Sequence, residues 1–429
     1  MSQFVIEGGV PLAGTVEPGG NKNEALPCIA AVLLTSEPVI LDNVPRIRDV
    51  DVLLEILRRI GVEVSEVGSP NRIRFCAAKI NSPQPEASLC AQLRASILLL
   101  GPLVARCGEV ILAPPGGDVI GRRRVDTHLL GLEALGAEVD LARAFHVRTR
   151  GRLRGADVFL DEASVTATEN LVMAAALARG TTILRNVASE PHVQNLCRML
   201  ELMGVGFQGI GTNTLTIEGR ESLHGCEFRI ASDYLEVGSF IGLAACTGSD
   251  ITIRNADRPQ LRRILMMFDR LGVHTEPVGD DDLRVPPGQS LVVRHDVGGA
   301  IPKIDDAPWP AFPTDLMSIA IVTATQAKGT VLFFEKMYEG RMFFTDHLIG
   351  MGAQIILCDP HRVVVVGPAA LYASRVESPD VRAGMALLIA ALCAKGTTTI
   401  GNIRQIDRGY ERIDQKLRAL GARIERVDG

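Results

Sequence analysis

The sequence predicts an α/β protein of inverted layering, with helices packed inside and sheets outside, built as two sets of three repeated units. Three observations predict it. A phrase in which a helix ends on an apolar residue, then Gly, then Val or Ala, then a strand, recurs six times. Between the copies lie β-rich runs that end in a turn. Upstream of most copies sits a helix apolar on nearly every side, and such a helix is buried rather than surface-lying.

The six helix stops are Leu57–Val62, Leu132–Ala137, Leu200–Val205, Phe268–Val273, Leu348–Ala353 and Leu417–Ala422, with glycines roughly 70 to 80 residues apart. Gly suits the stop because the left-handed position after a helix costs it no Cβ clash. The β-rich runs are Pro38–Val44, Thr181–Val187, Ile251–Ala256, Gly329–Phe334 and Thr397–Ile403, and the clearest buried helices are Ala25–Leu34, Ala95–Ala105, Leu171–Ala178 and Met385–Ala394. A Rossmann arrangement puts its helices outside a central sheet, so this pattern is its inverse. Six units divide as three plus three, with a join near Ile230–Asp233. The expected domains are 22–231 and 1–21 plus 232–429. The strand at Gln3–Ile6 precedes the first full unit and is free to pair with either half.

Composition excludes several classes. In 429 residues, 47% are hydrophobic, 22% charged and only 4% aromatic, so the core rests on Leu, Ile, Val and Ala. A net charge of -5 argues against general nucleic-acid binding. The longest apolar run, Met385–Cys393, is too short to span a bilayer. The N-terminus has no basic segment followed by an apolar one, so no signal peptide is read there. Nine cysteines without a C-x-x-C pair suit reduced thiols in the cytoplasm, and no structural metal or cofactor is expected.

Four features could carry chemistry. Glu17–Pro27 holds glycines, Lys22 and Asn23 at a helix start, a setting that suits an anion. Ala113–Asp126 brackets Asp118 with glycines and prolines and follows it with Arg122, Arg123 and Arg124, which could clamp a phosphate. Either stretch could equally be a plain solvated loop. In Ala307–Asp315 three prolines fix the chain path just before an apolar helix (Leu316–Ala324). There Asp315 is either a first-turn acid or a functional carboxylate. Arg94, Arg341, Arg382 and Arg408 each lie at or just before a repeat's helix, and equivalent loops of a repeat fold gather on one face.

Over essentially its whole length the chain resembles the UDP-N-acetylglucosamine enolpyruvyl transferases. The carrying phrases are Lys22-Asn23, Asn43-Val44-Pro45 with Arg48-Asp49-Val50, Arg94-Ala95-Ser96, Pro115-Gly116-Gly117, Ala311-Phe312-Pro313-Thr314-Asp315 and Asp407-Arg408-Gly409-Tyr410-Glu411-Arg412. The resemblance implies two inside-out α/β barrel domains of three repeats each, with the active site in the cleft between them. It implies transfer of enolpyruvyl from phosphoenolpyruvate to the 3-hydroxyl of UDP-N-acetylglucosamine, the first committed step of peptidoglycan synthesis. Lys22, Arg123 and Arg408 would hold the phosphate, and Arg341 and Arg382 the carboxylate. Asn23, Arg94, Arg124, Val125, Asp126, Thr127, Glu162, Ala163, Ser164 and Val165, together with Met337, would line the substrate site. Asp315 would take the proton of the attacking hydroxyl. Asp118 stands where most relatives carry a cysteine and would protonate C3, which implies resistance to the epoxide antibiotic fosfomycin.

Other departures are Arg124 for a family proline, Thr166 for a glycine, Gly340 for an asparagine, and Tyr234 with Val237 in a segment usually read Pro-Asp-Arg-Ile-Glu-Thr-Gly. Arg124 and Thr166 bear on the acceptor more than on the chemistry. Two alternatives therefore stay open: a paralogue acting on another sugar nucleotide, and a sugar-nucleotide-binding homologue without catalysis. The shikimate-directed branch lacks its Asn-Ala-Gly-Thr and Lys-Ser signatures here.

Overall fold

The computed structural model describes residues 2–117, 120–141 and 143–427. The chain divides into two compact units. The first is Gly20–Asp118 with Arg123–Ala231; the second is Met1–Gly19, Val119–Arg122 and Ser232–Gly429.

In the first unit the helices Lys22–Ala31, Leu100–Cys107 and Val165–Ala176 form the centre, and most of their residues are buried whichever way they face. Ser and Asn caps start two of them. Asn21 accepts the Glu24 N–H at 3.1 Å and Ser164 accepts that of Ala167 at 3.4 Å. The amphipathic helices Arg48–Arg59, Asp126–Ala134 and Pro191–Leu202 bury one face only. Three sheets surround them. Their orders are Glu227–Arg229, Val39–Asp42, Ser69–Cys76, Glu63–Val67; then Glu109–Leu112, Phe145–Arg148, Glu138–Asp140; then Gly206–Gln208, Thr214–Glu218, Thr181–Arg185, Asp157–Phe159.

The second unit repeats the plan around helices Tyr234–Thr247, Met317–Ala324 and Val381–Cys393, all packed on one another. The first of these was not singled out in the sequence, because Tyr234, Glu236 and Ser239 interrupt its apolar run; all three are buried. The strand Gln3–Glu7 settles in this unit, antiparallel to both Thr397–Gly401 and Arg423–Val427, with Phe4 opposite Ile400 and Arg426. Alternation explains the seating: Phe4 and Ile6 point into the core and are fully buried.

The repeat is also visible in the backbone. All six stop glycines, Gly61, Gly136, Gly204, Gly272, Gly352 and Gly421, have φ between 79° and 107°. The β-rich runs end just as regularly in four units, on Asn43, Asn186, Asn255 and Asn402, each left-handed with φ between 47° and 58°. Asn tolerates that region better than other side chains. The two remaining units break the rule. After strand Glu109–Leu112 the position falls to Ala113, and after strand Gly329–Phe334 to Glu335. These two units send out the long segments that carry Asp118 and Arg341. No described helix is long and apolar enough to cross a membrane.

Candidate active site

In the second unit, Pro313 ends an extended segment and Thr314–Leu316 forms one 3-10 turn before the apolar helix. Asp315 does not cap that helix. Its Oδ1 takes Arg341 Nη2 at 2.5 Å, and its Oδ2 takes Arg382 Nε at 3.0 Å. Arg382 lies in the first turn of Val381–Cys393, whose N-cap Asp380 accepts the N–H groups of Arg382 and Ala383. Its guanidinium stacks over Tyr410, 5.5 Å from the ring centre, and the Tyr410 hydroxyl meets Ser239 at 2.9 Å. The sequence thus hides a convergence of three residues from two repeats.

Asp315 is shared by two guanidiniums whose side chains are only 10% and 5% exposed. Burial pushes the Asp315 carboxyl up, but Arg382 and Arg341 pull it down further, well below the usual carboxylate range. Arg341 Nε and Arg382 Nη1 are buried with no hydrogen-bond partner. Buried N–H groups on cations are costly to leave unmade, so the cluster has spare donors for another anion. Asp233, capping the neighbouring helix, is also buried; burial pushes its carboxyl up to about 6, with Arg382 opposing and Glu236 adding to the rise.

Met337 and Arg341 share a short segment after strand Gly329–Phe334. The Glu335 carboxylate accepts the N–H groups of Met337 and Tyr338, both at 3.1 Å. Gly340 has a plain reason here: its N–H donates to Ile120 O at 2.9 Å, and a Cβ would lie 2.9 Å from the same carbonyl. Arg408 ends a 3-10 turn, with Nη1 on Gln405 Oε1 at 3.2 Å. Its neighbour Asp407 is held by both terminal nitrogens of Arg426.

In the first unit, Lys22 opens helix Lys22–Ala31 and pairs with the buried Asp49 at 2.7 Å. Asn23, next on the same helix, is half-buried. Arg94 donates from Nη2 to the carbonyls of Arg123 (2.8 Å) and Arg124 (3.4 Å), fixing the backbone where the arginine run ends. Gly117 packs against Arg94, with 2.8 Å between an added Cβ and Arg94 Cβ. Asp118 itself lies outside the described residues.

Two more expected segments meet. Arg124 bonds Asp161 at 2.7 Å and Asp126 at 3.3 Å and approaches Glu162 at 3.9 Å, while the Thr127 hydroxyl donates to Asp161 at 2.6 Å. Segment 124–127 is thereby tied to segment 161–165, which holds Glu162, Ala163, Ser164 and Val165. Thr166 Oγ1 sits 3.0 Å from Nε2 of the buried His128. Asn170 Oδ1 takes the Gly101 N–H, so its Nδ2 donates to Ile97 O and to His128 Nδ1 at 2.8 Å. His128 therefore carries its proton on Nε2 and gives it to Thr166. Burial, then the Arg94 guanidinium, push His128 down to about 3, so it stays neutral.

Sequence reasoning missed Asp161, His128 and Glu335 as members of these clusters. Glu335 had a signal, since it occupies the position that four other units give to Asn. Asp161 and His128 had none.

The fold is a two-unit, inverted α/β architecture whose second unit gathers two buried arginines on one carboxylate. The sequence model of the family described as EPSP synthase (3-phosphoshikimate 1-carboxyvinyltransferase) matches residues 6–417, and the chain belongs to that family of enolpyruvyl transferases. It is 56% identical to the UDP-N-acetylglucosamine 1-carboxyvinyltransferase of Bradyrhizobium diazoefficiens, over 99% of this chain and 98% of that one. It is 52% identical to the protein of the same name from Treponema denticola, over 99% of each. The crystal structure of the enolpyruvyl transferase NikO from Streptomyces tendae is similar with a TM-score of 0.88 and 25% identity, covering 100% of this chain and 99% of the other.

Proposed function

We propose that the chain transfers the enolpyruvyl group of phosphoenolpyruvate to the 3-hydroxyl of UDP-N-acetylglucosamine and releases inorganic phosphate. One observation carries this reading: Asp315 is shared by Arg341 and Arg382, whose remaining buried N–H groups await an anion. A carboxylate held so low is a weak base. When the carboxylate of phosphoenolpyruvate takes up the two guanidiniums, Asp315 loses their pull, and its affinity for a proton rises as the sugar hydroxyl arrives. Binding of one substrate thus arms the base that acts on the other.

Addition of the hydroxyl to C2 and of a proton to C3 gives a tetrahedral adduct, and loss of phosphate from C2 together with a proton from the C3 methyl restores the double bond. Asp118 is assigned the C3 proton. Lys22, Arg123 and Arg408 are assigned the phosphate, whose developing charge they offset. Asn23, Arg94, the segments 124–127 and 162–165, and Met337 are assigned the nucleotide and sugar. The relatives' names support the acceptor. The reading places the enzyme in the cytoplasm, in cell-wall synthesis, with fosfomycin resistance following from Asp118. A phosphate-release assay with phosphoenolpyruvate and UDP-N-acetylglucosamine tests it. Release only with another sugar nucleotide would replace the acceptor; tight nucleotide binding without release from any acceptor would replace the catalysis.

A further inference from the structure

Asp306 and Glu335 are two carboxyl groups that the reaction above does not use, and both are fully buried. They lie on different segments. Asp306 follows strand Lys303–Asp305 and opens the proline-rich stretch to Asp315; Glu335 follows strand Gly329–Phe334 and opens the stretch to Arg341. Asp305 lies opposite Phe334 across the parallel strands, so Asp306 and Glu335 leave the sheet side by side. Asp306 Oδ1 accepts the Lys336 N–H at 2.6 Å, while its Oδ2 is buried with no donor. Glu335 is crowded with donors instead: the Thr314 hydroxyl lies 3.0 and 2.9 Å from its two oxygens, and the N–H groups of Met337 and Tyr338 reach Oε1.

We infer that Asp306 and Glu335 share a single buried proton and act as a positioning clasp, joining the segment that carries Thr314 and Asp315 to the segment that carries Met337 and Arg341. Two facing carboxylates in a dry site cannot both be ionised. A proton between Asp306 Oδ2 and Glu335 satisfies the orphaned oxygen and converts a repulsion into a strong hydrogen bond. The Thr314 hydroxyl then ties Glu335 directly to the residue before Asp315. Both partners are positioning residues; neither touches the reacting atoms.

The charged surroundings agree. Burial and the facing Asp306 push Glu335 up to about 9, with Arg341 opposing. Lys336 directs its ammonium to Asp305, not to the pair. His361 donates from Nδ1 to the Glu335 carbonyl at 2.7 Å rather than to its carboxyl. Arg341, which opposes the rise of Glu335, is itself faced by Asp315 and Asp380. Glu335 keeps its proton at neutral pH and gives it up as pH rises through about 9, which opens the clasp.

The role given to Arg341 rests on the proposed function; the shared proton does not, and the test separates them. In the full-length enzyme without substrate, the wild-type minus D306N infrared difference at about pH 7 shows a protonated-carboxyl band that fades as pH rises through about 9. Glu335→Gln abolishes the same band. In turnover, Asp306→Ala raises KM for phosphoenolpyruvate roughly tenfold to hundredfold through misplacement of Arg341. Asp306→Asn rescues it, because its amide donates to Glu335 without a proton that can be lost, and it removes the alkaline fall in kcat/KM. Should Asp306→Ala not fold, the comparison of D306N with wild type still decides. Absence of the band, or identical alkaline limbs in D306N and wild type, overturns the clasp. Loss of phosphate release from every acceptor while the band persists overturns the function and leaves the clasp.

Discussion

Arg382 reaches a single oxygen of Asp315, Oδ2, from two of its nitrogens, Nε and Nη2, each at 3.0 Å. The side chain is 5% exposed, so the contact is part of the interior as well as of the site. Breaking one partner of a buried pair strands the other charge, which costs about 3–5 kcal/mol. Arg382→Ala should therefore lower stability by several kcal/mol as well as abolish activity. Urea denaturation and phosphate release, measured on the same preparation, check both halves.

Asp315→Asn separates charge from proton transfer. The amide keeps the shape but cannot accept a proton, and loss of a general base costs roughly 10²–10⁴ in kcat. Nucleotide affinity, measured by calorimetry, should change far less than kcat.

The two carboxyl clusters of the second unit respond to pH with opposite sign. Asp315 is held below its unfolded value of 3.8, so its contribution to stability is present above about pH 4 and is lost as pH falls below it. Glu335 keeps a proton that its unfolded form releases near 4.5, so its contribution is present in acid and declines as pH rises to about 9. Subtracting the urea stability of D315N from wild type should give a difference that shrinks toward acid. The same subtraction with E335Q should give one that shrinks toward base.

Much of this architecture was legible because it repeats. A glycine stop and an all-round apolar helix each mean little alone, but six spaced copies define units, and the resemblance carried by Ala311–Asp315 and Asp407–Arg412 names the chemistry. What stayed hidden is what depends on contacts between repeats. Nothing local to Asp315 says that Arg341 and Arg382, 26 and 67 residues away, share it. Polar residues such as Glu236 and Ser239 masked a buried helix, and His128 gave no sign of its own burial, because their partners come from distant segments: Lys416 reaches Glu236 at 2.6 Å, and Asn170 reaches His128. Asp161 carried no sequence signal at all, although it joins two of the expected substrate segments.

Asp118→Cys should convert the enzyme from fosfomycin-resistant to fosfomycin-sensitive. A thiolate attacks an epoxide readily, whereas a carboxylate is a much weaker nucleophile. Intact-protein mass spectrometry should find a single adduct on Asp118→Cys and none on the wild type. Asp118→Asn should slow turnover severely with nucleotide affinity nearly unchanged; loss of binding instead would make Asp118 a structural residue.

The stop glycines allow a test of the repeat itself, because equivalent positions differ in surroundings. Gly421 has φ 96° and open space where a Cβ would go. Gly421→Ala should meet only the left-handed backbone penalty, about 1–2 kcal/mol. Gly272 has φ 79°, but there a Cβ would lie 2.4 Å from Val292 N and 2.7 Å from Val292 O. Those atoms are backbone and cannot swing away, so Gly272→Ala adds a steric cost to the same penalty and forces the 292 segment outward. Its urea midpoint should fall well below that of Gly421→Ala. Equal midpoints would mean that the chain at Val292 yields freely, and that the stop at Gly272 is set by backbone conformation alone.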